Sequence, residues 1–290
     1  MDGILNILKP AGMTSFDVVH RIRRLSGERR VGHGGTLDPM ATGVLPLGLG
    51  QGVRVLQFLE SVTKVYRAVV RLGATTDTDD AEGRVLAERP VPDVSREALE
   101  AALDRFRGRI QQVPPRYSAL KRGGTPLYKM ARAGKEVTVD ARTVTVLRLD
   151  LLAVDLPLLT LDVECGKGTY IRAIARDLGE DLGCGAHLQA LERKRVGPFA
   201  LEQGFGLVDA EDALREGRGE EMLEPIDVVL THLAAAILGE EKTRAVRNGQ
   251  SVAFPADETE QCRAYSWDGE LVAILRPNGQ LWQPYKVFTS

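Results

Sequence analysis

The stretch GHGGTLDPMATGVLP, residues 32–46, restricts the fold more than any other part of the chain. Its four glycines and two prolines argue against a helix anywhere along it. Proline lacks the amide donor a helix needs, and glycine is entropically costly in a helix interior. The segment therefore reads as a constrained loop. It carries one carboxylate, Asp38, directly before Pro39. A residue ahead of proline is pushed out of the helical region into an extended or turn conformation. Such an Asp has two readings. It initiates a turn by bonding its own backbone, or it is a carboxylate that a rigid loop presents to a substrate.

The totals bound the rest. The 290 residues suffice for one large domain and a small one. A hydrophobic fraction of 43% and a charged fraction of 27% are those of an ordinary globular protein. No apolar run is long enough to predict a membrane-spanning helix. The start, MDGILNILKP, has an acid at Asp2 and only a short apolar run, unlike a secretory leader. Cys165, Cys184 and Cys262 are odd in number and widely spaced, which predicts reduced thiols in the cytoplasm.

The net charge of −2 does not point to nucleic acid, but its distribution does. From Arg105 to Lys135 there are nine Lys/Arg and no Asp or Glu. Further basic runs are HRIRRLSGERR at 20–30 and ERKR at 192–195. Acids gather at 76–83 and 208–227. A single charge run is usually a solvated face, whereas three predict one positive surface for a polyanion.

Periodicity places the elements. Thr14 and Asp17 have capping-box spacing ahead of Val18, Val19, Ile22 and Leu25, with Gly27 as a stop, predicting a helix at 15–26. Residues 64–72 alternate, with Tyr66, Ala68, Val70 and Leu72 on one face of a strand. A helix starts at Ser95 and closes at Gly108. Strands follow at 143–149 and 159–165, then a helix with the stripe Ile171, Ile174, Ala175, Leu178 and Leu182. Pro114, Pro115, Gly123, Gly124 and Pro126 make the first half of the basic segment 109–140 irregular and mobile, with helical turns at 127–134. An insertion this long and basic is a binding element rather than a connection. Residues 204–227 hold a helix flanked by turns. Beyond about 230, a helix at 239–248 and the strand-like pieces CRAYSW, LVAILR and LWQPYKVF predict a small β-rich domain.

Several chemistries lack their residues. GLGQG at 48–52 fails as a dinucleotide fingerprint because Val53 stands where glycine is needed. CGAH at 184–187 has no second ligand pair at zinc-like spacing, so no metal is expected. Cys165 is expected to be packed, and Ser15 and Ser118 lack a His/Asp partnership for an acyl-enzyme.

The 32–46 stretch resembles the active-site motif of the TruB-type tRNA pseudouridine synthases. The likeness continues, in the family's order, through LKPAGMTSFD (8–17), KVYRAVVRLGATTDTDDAEG (64–83), PPRYSALKRGGTPLYKMARAGKEV (114–137), CGKGTYIRAIARDLGEDLGCGAHLQALERKRVGPF (165–199) and KTRAVRNGQSV (242–252). The tail resembles a PUA domain, an RNA-binding module. The resemblance implies an α+β pseudouridine synthase fold, a mixed, largely antiparallel central sheet flanked by helices, with a small C-terminal β-rich PUA-like domain. Residues 1–230 would form the catalytic domain with the basic insertion at 109–140, and residues 231–290 the PUA-like domain.

It also implies the activity: uridine becomes pseudouridine at position 55 in the T-loop of tRNA, without a cofactor. Asp38 matches the family's catalytic nucleophile. Arg172 matches an arginine that pairs with it, and such a partner lowers a carboxylate pKa. Tyr66 matches a tyrosine that stacks on the flipped base and assists proton transfer at carbon 5. Tyr170 and Leu191 match residues lining the uracil pocket. His33 matches a histidine filling the space left by the extruded nucleotide. Lys9 matches a lysine that supports the loop or a phosphate. Lys121, Arg122, Lys129 and Arg132, in the insertion, are expected on the RNA backbone. The implied protein is a cytoplasmic monomer that takes the T-arm of tRNA and needs no obligate protein partner.

Two rival readings stand beside it. A guide-RNA-dependent pseudouridine synthase is disfavoured by the basic insertion, which would grip the RNA directly, and by the absence of Lys-rich tails. A tRNA-folding chaperone would act without essential chemistry and would survive loss of the Asp38 carboxylate.

Overall fold

A computed structural model describes residues 1–117, 121–122, 125–126, 130, 139–254 and 260–288. The strands are β1 (Gly3–Lys9), β2 (Val31–His33), β3 (Thr42–Leu49), β4 (Lys64–Leu72), β5 (Ala74–Thr76), β6 (Val85–Glu88), β7 (Gly108–Gln112), β8 (Lys121–Arg122), β9 (Thr125–Pro126), β10 (Arg142–Asp155), β11 (Leu158–Cys165), β12 (Ala186–Val196), β13 (Phe199–Ala200), β14 (Phe205–Gly206), β15 (Leu223–Glu224), β16 (Ala234–Leu238), β17 (Cys262–Ser266), β18 (Leu271–Asn278) and β19 (Leu281–Val287). The helices are α1 (Ser15–Ser26), α2 (Arg96–Leu103), α3 (Ile171–Asp181), α4 (Leu207–Arg215) and α5 (Glu240–Arg247).

Eleven of these strands share one sheet, in the path β14-β1-β3-β12-β4-β11-β10-β7. All neighbours on that path are antiparallel except β14–β1 and β12–β3. This is the mixed, largely antiparallel sheet that the resemblance implied. A second sheet, β16-β17-β18-β19, forms the β-rich C-terminal part. Ile4, Val44, Leu59 and Phe199 pack in one cluster with Val229, Ile274 and Phe288, so apolar burial joins the two sheets. The Tyr265 hydroxyl also donates to Asp227 Oδ2 at 2.6 Å.

Local signals explain the best-matched elements. α1 has the capping box formed by Thr14 and Asp17, and Gly27 ends it in the left-handed region at φ 66°. Val18, Val19 and Ile22 bury its inner face. β4 buries Ala68, Val70 and Leu72 and half-buries Tyr66. The helix that starts behind Ser95 ends at Leu103; a 3-10 turn then carries Phe106 inward, and Gly108 opens β7 instead of closing the helix. Residues 108–112 are thus a strand paired with β10, not the irregular start expected for the basic segment. Helical turns expected at 127–134 fall, apart from Met130, outside the described residues.

Other strands also ran against expectation or went unseen. Residues 42–49, part of the presumed loop, form β3 at the centre of the sheet. β12 occupies the ERKR run, and β1 precedes α1. Gly43 shows why glycine is needed in β3. Its φ is +99°, and a Cβ there would lie 2.3 Å from the Arg193 carbonyl oxygen of β12.

Candidate active site

The loop from Gly34 to Ala41 leaves β2 and returns into β3, and it is held from three sides. From below, the Lys9 Nζ at the end of β1 donates to the carbonyls of Pro10 and Met13 at 2.7 Å and of Pro39 at 3.1 Å. Lys9 is 1% exposed, and its three bonds tie Pro39 of the loop to the β1–α1 turn at Pro10 and Met13, leaving no donor for a phosphate. Burial lowers its pKa to about 8. From the side, Ser15 at the start of α1 exchanges hydrogen bonds with Leu37: its Oγ donates to the carbonyl at 3.2 Å and accepts from the amide at 2.9 Å. From the sheet, Arg193 donates to the carbonyls of Val44 at 2.8 Å, Gly35 at 3.0 Å and Thr36 at 3.3 Å.

This loop brings Asp38 to Arg172 in the first turn of α3. Arg172 Nη2 donates to Asp38 Oδ1 at 3.2 Å, and Nε lies 3.0 Å from Oδ2, off the line of a hydrogen bond. Arg172 is itself fixed by Asp80, whose Oδ2 accepts from Nη1 at 3.2 Å, and by the carbonyls of Thr78 and Tyr117. The Arg172 and Asp80 side chains are 5% and 4% exposed, whereas that of Asp38 is 34% exposed. Asp38 is therefore the member of this group that a substrate can reach.

Electrostatics at Asp38 differ from the expected direction. Burial raises its pKa above the ordinary carboxylate value, and Arg172 opposes that rise without reversing it. Asp80, which shares the guanidinium, adds to the rise. The expectation that the arginine partner holds Asp38 below its ordinary value is thus corrected, because desolvation exceeds the ion-pair gain.

Tyr66 on β4 faces Arg193 across the strand pair, and its hydroxyl lies against the guanidinium. Burial raises the Tyr66 pKa, again with Arg193 opposing. His33, in β2 opposite Leu47, is half-buried, and its Nδ1 has no hydrogen-bond partner among the described residues. Burial and the nearby Arg193 both depress its pKa, favouring the neutral ring. Leu191 is 8% exposed on β12 beside Ala68. Tyr170 precedes α3, and its amide and carbonyl are both bonded by the Gln112 side chain, at 2.8 and 3.1 Å. Lys121 and Arg122 are described only as the backbone of β8, and Lys129 and Arg132 lie outside the described residues.

Two residues of this site were not singled out in the sequence. Asp80 looked like one acid in the run at 76–83, and Arg193 like one cation of a positive surface. Arg193 is instead 1% exposed inside the protein, while Lys194 and Arg195 face Asp162 and Glu164. The ERKR run therefore does not contribute an open basic surface. The only sequence signal for Arg193 was its place on an alternating strand, two residues after Leu191. Cys184 and His187, the rejected metal pair, are both buried, and His187 Nδ1 bonds the Ala74 carbonyl at 2.9 Å.

A family model described as TruB family pseudouridylate synthase (N terminal domain) matches residues 23–171. A second, described as tRNA pseudouridylate synthase B C-terminal domain, matches residues 172–231. A protein of Dehalococcoides mccartyi named tRNA pseudouridine synthase B is 43% identical over 290 residues, covering 99% of this chain and 97% of the relative. One of the same name from Pseudomonas aeruginosa is 49% identical over 258 residues, covering 88% of this chain and 84% of the relative. Among solved structures, the Cbf5-Nop10-Gar1 complex contains a chain with 28% identity and a TM-score of 0.78. That match covers 99% of this chain and 85% of the other.

Proposed function

The chain belongs to the TruB family of pseudouridylate synthases, and from that premise we propose that it isomerises uridine to pseudouridine at position 55 in the T-loop of tRNA. The observation that carries the reading is the reachable Asp38 carboxylate held against the buried Arg172–Asp80 pair. The reaction breaks the N1–C1′ bond, turns the uracil and forms a C5–C1′ bond. N1 gains a proton and C5 loses one, so no redox partner enters. A carboxylate can act as the nucleophile, at ribose C1′ or at uracil C6, and leaves again before the product is released.

The remaining residues take roles by position. Arg172 orients Asp38. Tyr66 stacks on the flipped base, with Tyr170 and Leu191 along the uracil. His33 fills the gap left in the RNA, and Lys9 holds the loop. Lys121, Arg122, Lys129 and Arg132 contact the RNA backbone. Residues 1–230 act as the catalytic domain and 231–290 as a PUA-like RNA-binding domain. The protein works as a cytoplasmic monomer without an obligate protein partner. Its three cysteines are free and buried, in keeping with a reducing compartment.

Tritium release from carbon-5-labelled uridine in a T-arm stem-loop, with pure protein and no added RNA, tests the reading. Wild type is expected to release the label. Asp38→Asn is expected to abolish release while RNA binding stays within several-fold of wild type. Release that requires a guide RNA would favour the guide-dependent rival. RNA refolding by an Asp38→Asn protein, with no release by wild type, would favour the chaperone.

A further inference from the structure

The basic run at 20–30 is not used by the site around Asp38. α1 turns its apolar face inward and leaves His20, Arg21 and Arg24 exposed. Between α1 and α4 opens a cleft of about 690 Å³, lined by His20, Arg21, Arg23, Arg24, Glu211 and Arg215. Four of those six residues are arginines and one is an acid. Glu211 is 8% exposed and already engaged, by Arg21 Nη1 at 3.3 Å and Arg215 Nη2 at 3.2 Å. Arg23 and Arg24 have no ion-pair partner among the described residues; Arg23 Nη2 lies 3.0 Å from His20 Nδ1 instead.

The helix dipole accounts for arginines in the last turn of α1. It and the pairs to Glu211 and Asp212 also account for Arg215 in the last turn of α4; what they leave is Arg23 and Arg24, which line the concavity with no carboxylate paired to them. Guanidiniums crowded in a concavity repel one another and raise a positive potential that an anion relieves. Their planar fork fits phosphate oxygens in pairs. On the same ridge, Phe16 is 58% exposed and meets the His20 ring edge-on at 4.5 Å. An exposed aromatic beside unpaired arginines suits a nucleotide better than an acidic peptide. α1 also starts at the catalytic loop through the Ser15–Leu37 bonds. At about 1.5 Å rise per residue, Arg24 lies roughly 14 Å along the axis from Ser15. One polynucleotide can span that distance.

We propose that this cleft is a second RNA-contact site, in which Arg23 and Arg24 hold backbone phosphates of the RNA whose uridine reaches Asp38. The proposal rests on the function proposed above. Its test uses the full chain carrying Asp38→Asn, so that bound RNA is not turned over, and an unmodified tRNA transcript as probe. Affinity is measured across a salt series with and without Arg23→Gln/Arg24→Gln. Loss of two phosphate contacts is expected to weaken binding about tenfold and to flatten the log–log salt slope by about 1.4–1.8. Arg23→Lys/Arg24→Lys keeps the charge and is expected to keep the slope, which separates phosphate binding from a folding defect. Unchanged affinity and slope in the Gln variant would overturn the proposal. So would an equal loss in the Lys variant, which would mark the arginines as structural, or displacement of an acidic peptide with no effect on RNA. Wild-type turnover of the same transcript is read in parallel. Turnover with an unchanged slope removes the cleft alone; no turnover removes the function reading and leaves the slope to judge the cleft.

Discussion

Arg172 Nη1 lies 3.2 Å from Asp80 Oδ2, and the two side chains are buried together at 5% and 4% exposure. An unpaired buried charge is strongly unfavourable, so each offsets the cost of burying the other and holds it in place. Thr78 Oγ1 and the Glu82 amide both donate to Asp80 Oδ1, at 2.5 and 3.1 Å, and fix the carboxylate in turn. The result is a rigid guanidinium whose remaining edge faces Asp38.

Asp80→Asn keeps the volume and removes the charge that orients Arg172. Misplacing the arginine by a fraction of its length is expected to lower the single-turnover rate by about 10²-fold. RNA affinity should change little, because Asp80 is buried away from solvent. A near-wild-type rate would show that Asp38 needs no such support.

The pH dependence follows from the direction of the Asp38 shift. Its pKa is raised, first by burial, so on acidification it loses its charge at a higher pH than an ordinary carboxylate. The acid limb of the single-turnover rate is expected above the usual carboxylate range. Arg172 opposes that rise, so Arg172→Met should move the limb to still higher pH even as the plateau falls. A shift to lower pH would contradict this.

Tyr66 separates stacking from hydroxyl chemistry. Tyr66→Leu removes the ring and should cost the rate far more than affinity, with stacking of one base worth about 1–3 kcal/mol. Tyr66→Phe keeps the ring and frees the adjacent Arg193 from the hydroxyl. A Tyr66→Leu protein with wild-type kinetics would reduce Tyr66 to a packing residue.

Lys9→Met leaves three partly buried carbonyl acceptors without their donor. At about 1 kcal/mol or more for each, roughly 3 kcal/mol of stability should be lost in urea unfolding. The folded Lys9 loses its proton near pH 8, below the ordinary value of 10.5. The unfolded chain therefore binds more protons in that window, and stability from this group rises with pH there. The variant should lose that slope. Stability within experimental error of wild type would mean that the loop is held by Ser15 and Arg193 alone.

Sequence alone determined the elements whose signals are local. The capping box and Gly27 delimit α1, period-two alternation marks β4, and the stripe from Ile171 to Leu178 marks α3. The Gly/Pro density around Asp38 left it either a turn former or a presented carboxylate, and the family resemblance chose between the two. Tertiary structure decided what depends on partners far along the chain. Thr42–Leu49 holds glycines and Pro46 and reads as loop, yet pairing with β1 and β12 makes it a central strand. Asp80 meets Arg172 across 92 residues, and Arg193 reaches the Val44 carbonyl across 149. Whether a charge in a polar run is solvated or buried depends on such distant partners, because only they offset its desolvation. For the same reason the direction of the Asp38 pKa shift was invisible locally: it is set by how deeply the assembled loop, sheet and α3 bury one carboxylate.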